Sequence, residues 1–155
     1  MQISIESQAL ALMQSHALNT FPYECCGFFY GSTEEGRIRV REARPVANSK
    51  EGDQRRRFEV APLDYMQAER YALLQNTELL GIYHSHPLHP AIPSEHDLKQ
   101  ALPNFSYIIL AVEEEEVKAL RSWRLDTHNQ FREEAISFPA LFTYLKSINL
   151  KPEIQ

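Results

Sequence analysis

The sequence predicts an α/β (α+β) fold in one domain spanning residues 1–155, and three observations lead there. Helix-spaced apolar stretches alternate with short strand-like runs along the chain. The 155 residues are 43% hydrophobic and 24% charged, enough to close one core and unlike a disordered chain. There are no internal repeats, low-complexity tracts or linker-like stretches to divide it.

The elements follow in order. Ile3-Ser4-Ile5 is a short β-prone start, and Ala9, Leu12, Met13 and His16 then fall at helical spacing with Ser7 as N-cap. Pro22 ends this approach, and Cys26-Gly27-Phe28-Phe29-Tyr30-Gly31 reads as a buried strand closed by glycine. A second strand is expected over 37–46, and the polar stretch 48–57 as a mobile surface loop. Pro62 opens a helix to about residue 76, with Tyr65, Met66, Ala68, Ala72 and Leu73 on one stripe. Residues 79–86 form a mostly apolar strand stopped by Pro87, and three prolines make 87–93 a stiff loop. Ser94 caps a helix to Leu102; 105–112 is a strand, Glu113 to Glu116 a charged turn, and 117–125 the return strand with the sole Trp123. A strand over 131–138 and a helix after Pro139, reaching about residue 150, complete the chain.

Composition excludes several classes. A formal net charge of −5 lacks the basic surface that nucleic-acid binding requires. No stretch approaches the roughly 18 apolar residues of a membrane span, and residues 1–16 lack the basic and apolar blocks of a signal peptide. The two cysteines, Cys25 and Cys26, are neighbours, with Cα atoms about 3.8 Å apart, too close for ordinary disulfide geometry. A reducing, cytoplasmic setting is therefore expected.

The chemistry concentrates in His84-Ser85-His86-Pro87, followed by Pro93-Ser94-Glu95-His96-Asp97. Strand residues two apart face the same side, so His84 and His86 can converge on one ion. A helix capped by Ser94 places Asp97 in its first turn, able to return a carboxylate oxygen to the same point. Two imidazoles and one carboxylate leave a fourth tetrahedral position for water, as in a catalytic zinc site, whereas structural sites are closed by four protein ligands. Hydrolysis also needs a base, and within this segment Glu95 is a candidate. Taken singly, His-x-His is more often structural on a strand, and Ser94-x-x-Asp97 also reads as a capping arrangement.

The combination goes further. Pro22-Tyr23-Glu24-Cys25-Cys26-Gly27 resembles the P-x-E-x-C-G start of the JAMM (MPN-plus) metallopeptidases, and Gly81-Ile82-Tyr83-His84-Ser85-His86-Pro87 with Pro93-Ser94-Glu95-His96-Asp97 resembles their G-x-x-H-S-H-P…P-S-x-x-D signature. The resemblance runs over about residues 1–125 and is strongest to the compact prokaryotic branch. It implies a mixed central sheet flanked by helices, in a cytidine-deaminase-like architecture. It also implies one catalytic Zn2+ held by His84, His86 and Asp97, with Glu24 as acid/base and Ser94 stabilising the oxyanion. The implied activity is peptide or isopeptide cleavage at the C-terminal tail of a ubiquitin-like protein, as with small sulfur carriers, the tail lying beside an exposed strand. The alternative is a catalytically inactive scaffold of the same fold, although this chain keeps every ligand position. A thiol peptidase using Cys25 or Cys26 is a further rival, whereas a zinc deaminase would need a P-C-x-x-C pair that is absent. His16 is expected to be a satisfied core or boundary histidine, His89, His96 and His128 loop or surface residues, and Arg55-Arg56-Arg57 a solvated run.

Overall fold

A computed structural model describes residues 1–138. The elements are β1 (Gln2–Ile5), α1 (Ser7–Thr20), β2 (Cys26–Glu34), β3 (Arg37–Val46), α2 (Pro62–Leu74), β4 (Glu78–Pro87), α3 (Glu95–Gln100), β5 (Ser106–Val112), β6 (Val117–Leu125) and β7 (Phe131–Ser137). The helix expected after Pro139 lies outside the described residues.

The strands form one mixed sheet in the order β1-β3-β2-β4-β5-β6-β7. β1 pairs with β3 and β4 with β5 in parallel, while the β2–β3, β2–β4, β5–β6 and β6–β7 pairs are antiparallel. The sheet closes on itself, because β1 also runs parallel to β7, with Ile3 opposite Ile136. Closure covers the β3 edge over Arg37–Val40 and the β7 edge over Ala135–Ser137.

Residues from all seven strands meet α1 inside the closed sheet, among them Ile3, Phe29, Val40, Tyr83, Leu110, Leu120 and Ile136. α1 offers them Ala9, Leu10, Met13 and Ala17, one face at helical spacing. Burying a side chain such as Met13 contributes about 1.5–3 kcal/mol, so this face alone anchors the helix. Ser7 is the first helical residue and not the cap; Glu6 takes the extended cap position without a side-chain bond.

The opposite face of the sheet carries α2. Ala68 and Ala72 are buried there with Cys26, Phe28, Ile82 and Tyr107. The expected stripe is therefore rotated: Met66 is 62% and Leu73 83% exposed, because the small alanines let the helix approach the sheet closely. Gly31 does not close β2 but lies inside it, against β3, where a Cβ would come 1.8 Å from the Arg39 carbonyl oxygen.

One irregularity aims the strand that carries the histidines. Phe29 pairs with Gly81 and Tyr30 with Leu79, so Leu80 bulges out of the β2–β4 ladder. Leu80 then joins the core around α1, while Leu79 and Ile82 both lie on the α2 side. A single extra residue inverts the facing of all that follow, so His84 and His86 leave the α1 core and face the α2 side. Gly81 makes this possible, since a Cβ there would stand 1.8 Å from the Ser106 carbonyl oxygen of β5.

Candidate metal centre

His84 and His86 project from the same face of β4, as a period of two requires, with ring centroids 5.0 Å apart. Opposite them the chain enters α3. Ser94 is its N-cap: the Ser94 hydroxyl oxygen accepts the Asp97 N–H at 3.0 Å, and Asp97 Oδ2 accepts the Ser94 N–H at 2.9 Å. This capping box fixes the Asp97 carboxylate with Oδ2 pointing back at β4. Oδ2 lies 3.1 Å from His86 Nε2 and 3.9 Å from His84 Nε2. Glu24 arrives from the segment before β2, with Oε1 3.6 Å from His84 Nδ1. All four side chains are buried: His84 0%, Glu24 3%, His86 7% and Asp97 7% exposed.

The histidines differ in how they are held. His86 Nδ1 lies 2.8 Å from the Pro90 carbonyl oxygen. A carbonyl only accepts, so Nδ1 carries the proton and Nε2 is the atom offered to the pocket. The loop supplying that carbonyl is itself anchored, because Trp123 Nε1 donates to Ala91 O at 3.0 Å. His84, by contrast, has no hydrogen-bond partner on either nitrogen among the described residues, and Glu24 Oε1 has none there either. Burial by itself lowers the His86 pKa, but the hydrogen bond and charge of Asp97 outweigh it and leave it raised. Burial likewise pushes the Asp97 carboxyl up, yet His84, the His86 bond and the Ser94 N–H together hold it well below the usual carboxylate range.

Buried polar atoms without partners are costly, and three of them converge here. A cation held at His84 Nε2 would satisfy that nitrogen, while His84 Nδ1 and Glu24 Oε1 face each other at 3.6 Å. Donor atoms around a tetrahedral zinc at about 2.0–2.1 Å stand roughly 3.3 Å apart, close to the 3.1 and 3.9 Å spacings from Asp97 Oδ2. The group Glu24, His84 and His86 also brings its ligand atoms within 4.8 Å of one another. The pocket therefore offers four donors from three separate segments of the chain, and their chemistry, nitrogen and carboxylate oxygen, suits zinc.

Glu24 is held in place by its neighbours. Ser85, between the two histidines, points away from them, and its Oγ accepts the Cys25 N–H at 2.8 Å, while the Ser85 N–H donates to Cys25 O at 3.1 Å. The Glu24 N–H donates to Gln54 O at 2.7 Å, and Asn48 Nδ2 donates to Glu24 O at 3.3 Å and to Arg57 O at 3.1 Å. The 48–57 stretch lacks regular structure as expected, but these bonds and those from Gln54 Nε2 to Asn48 O and Lys50 O tie it together beside the site. Of the other candidates, Glu95 is exposed, as are His89 and His128. His96 is half-buried and bonds the Phe58 carbonyl at 3.2 Å, which its position in the sequence did not reveal. His16 bonds the Tyr83 hydroxyl at 2.7 Å, the satisfied boundary histidine expected.

The cysteines are free and buried, and burial pushes the Cys25 thiol up to about 12 and Cys26 higher still. Both stay neutral at working pH, unlike a nucleophilic cysteine. Iodoacetamide at about pH 8 is expected to leave the native protein unlabelled, and the denatured chain to take up two labels. Rapid native labelling of either thiol, with loss of hydrolysis, would reinstate the thiol mechanism.

Fold and pocket together define an α+β domain in which one strand presents two buried histidines to a candidate metal site. The chain belongs to the prokaryotic JAB (JAMM) family: the model described as "Prokaryotic homologs of the JAB domain" matches residues 6–126. It is 36% identical over 114 residues to a protein from Pyrococcus furiosus named desampylase, covering 73% of this chain and 74% of that one. It is 31% identical over 108 residues to a probable TtuB-protein conjugate cleaving protease from Thermus thermophilus, and spans 64% of that protein, slightly under two thirds. Among solved structures, a Desulfitobacterium hafniense protein superposes with a TM-score of 0.78 at 26% identity, covering 89% of this chain and 93% of that one. A Salinibacter ruber protein does so at 0.68 and 34%, covering 90% and 92%. No helix among the described residues is long and apolar enough to cross a membrane.

Proposed function

We propose that this chain is a zinc-dependent peptidase or isopeptidase that cuts at the C-terminal tail of a ubiquitin-like protein, with a small sulfur carrier as the fitting class. The observation that carries this reading is the meeting of His84 Nε2, His86 Nε2 and Asp97 Oδ2 in a buried pocket beside the partnerless carboxylate oxygen of Glu24. The relative named for cleaving TtuB-protein conjugates supports a bond between two proteins as the target. Two free cysteines fit a reducing, cytoplasmic setting.

His84, His86 and Asp97 would hold the ion. When bound, zinc supplies Lewis-acid polarisation of a carbonyl and acidifies water toward about pH 7. Glu24 Oε1, which has no hydrogen bond among the described residues, takes the proton of the attacking water and returns it to the leaving nitrogen as the C–N bond breaks. Ser94 uses its oxygen to accept the Asp97 N–H, which leaves its own O–H free to donate to the carbonyl oxygen as negative charge grows there. Capping and catalysis are thus compatible duties of one hydroxyl.

The test begins with elemental analysis of the purified chain and of His86→Ala. One zinc per chain that disappears in the variant is expected. A ubiquitin-like fusion ending in glycines should then be cleaved by the zinc-loaded protein, stopped by a chelator and restored by zinc. Negligible metal in both proteins, even with zinc offered, would overturn the proposal. Full zinc without cleavage of any such tail would leave the scaffold alternative.

A further inference from the structure

We infer that Phe58 is a positioning residue for the metal centre, setting the plane of the His84 imidazole and stapling its own loop to the helix that carries Asp97. The inference rests on the reading of His84 as a zinc ligand. Imidazole ligands ordinarily have their ring orientation set by a hydrogen bond from the second nitrogen. His86 has that bond, to Pro90 O. His84 has no such hydrogen bond among the described residues, its Nδ1 standing 3.6 Å from Glu24 Oε1, and rotation about its Cβ–Cγ bond is intrinsically soft. What lies against its face is Phe58, with ring centroids 4.3 Å apart and planes 27° from parallel, both residues buried. Turning the imidazole out of its plane would drive it into that ring.

Phe58 is itself immobilised. Its carbonyl oxygen accepts from Gln100 Nε2 at 2.8 Å and from His96 Nε2 at 3.2 Å, both on α3, which holds Asp97 in its first turn. On the other side, Asn48 Oδ1 accepts the Glu59 N–H at 3.1 Å, and Asn48 Nδ2 donates to both Arg57 O and Glu24 O. One backbone position thus connects the element bearing Glu24, the ring of His84 and the helix bearing Asp97. Its ring is stacked, not coordinating, so Phe58 can act only through the ligands.

The experiment measures zinc affinity by chelator competition, together with the visible spectrum of the cobalt(II)-loaded protein, for Phe58→Leu, Phe58→Tyr and His84→Ala. Loss of a group that orients a ligand typically weakens metal binding about 10–100-fold. Phe58→Leu should show that loss and an altered cobalt spectrum, while Phe58→Tyr, which keeps the ring, restores both. Unchanged affinity and spectrum in Phe58→Leu would overturn the inference, and so would equal loss in the leucine and tyrosine variants. If Phe58→Leu fails to fold, Gln100→Ala carries the test by releasing one staple, with weaker zinc binding expected and unchanged binding overturning it. His84→Ala separates the two levels: zinc retained there sinks the metal assignment itself, whereas zinc lost there but kept in Phe58→Leu sinks only this inference.

Discussion

Glu24→Gln is expected to bind zinc as the unaltered protein does and to hydrolyse its substrate about 10²–10⁴-fold more slowly, the range that a general acid–base group contributes. The amide keeps the shape of the side chain, and the backbone bonds to Gln54 and Asn48 do not involve the carboxylate. What it loses is the capacity to take a proton. The substitution also discriminates between two ligand sets that the pocket presents, because Glu24 lies within ligand distance of both histidines while Asp97 Oδ2 faces the Nε2 atom of each. If Glu24 were a ligand, zinc affinity would fall with activity. If it is the base, only turnover falls. Stability of the metal-free protein should hold or rise, since Oε1 is buried without a partner and a neutral amide is cheaper to bury than a carboxylate. Chelator competition, turnover and metal-free melting therefore give three independent readings from one variant.

The parts of this site that were legible are those governed by local periodicity or local capping. His84 and His86 share a face because a strand repeats every two residues, and Asp97 returns to them because Ser94 caps a short helix. Glu24 was legible only through the family resemblance, since nothing local distinguishes it from a solvated glutamate. Phe58 carried no signal at all. It sits in a polar loop, and its stacking on His84 exists only once that loop and α3 have packed together.

The same division holds for the fold. The bounds of β3 and β6 follow directly from their residue patterns. The buried face of α2 does not, because Leu63, Met66, Leu73 and Leu74 form an apolar stripe as plausible as the one around Ala68 and Ala72. Packing chose the alanines, whose small side chains allow close approach to the sheet. The β1–β7 closure and the Leu80 bulge are products of register between distant segments, and no window of sequence contains both partners. Yet that bulge decides which side of the sheet His84 and His86 face.

Asp97 carries two duties, and two substitutions separate them. Asp97→Ala removes the carboxylate from the pocket and also the oxygen that accepts the Ser94 N–H, so it should abolish zinc retention and cost the metal-free protein the roughly 1 kcal/mol usual for a helix cap on top of what the lost charge contributes. Asp97→Asn keeps a side-chain carbonyl able to accept from Ser94, so the cap survives while the charge is gone. Its metal-free melting should fall below that of the unaltered protein at neutral pH and converge with it at acid pH, with zinc bound far more weakly. Because the Asp97 carboxyl is held below its ordinary range, the folded state resists protonation there more than the unfolded chain does. The resulting stability is complete above the unfolded value of about 4 and drains away as pH falls toward the folded one. Asp97→Asn should remove that acid-side dependence. Zinc in modest excess should raise the melting temperature of the unaltered protein, since a ligand that binds only the folded state stabilises it, and should move Asp97→Asn far less and Asp97→Ala not at all. Zinc retained by Asp97→Ala would remove Asp97 from the ligand set and leave Glu24, with the two histidines, as the holder of the ion.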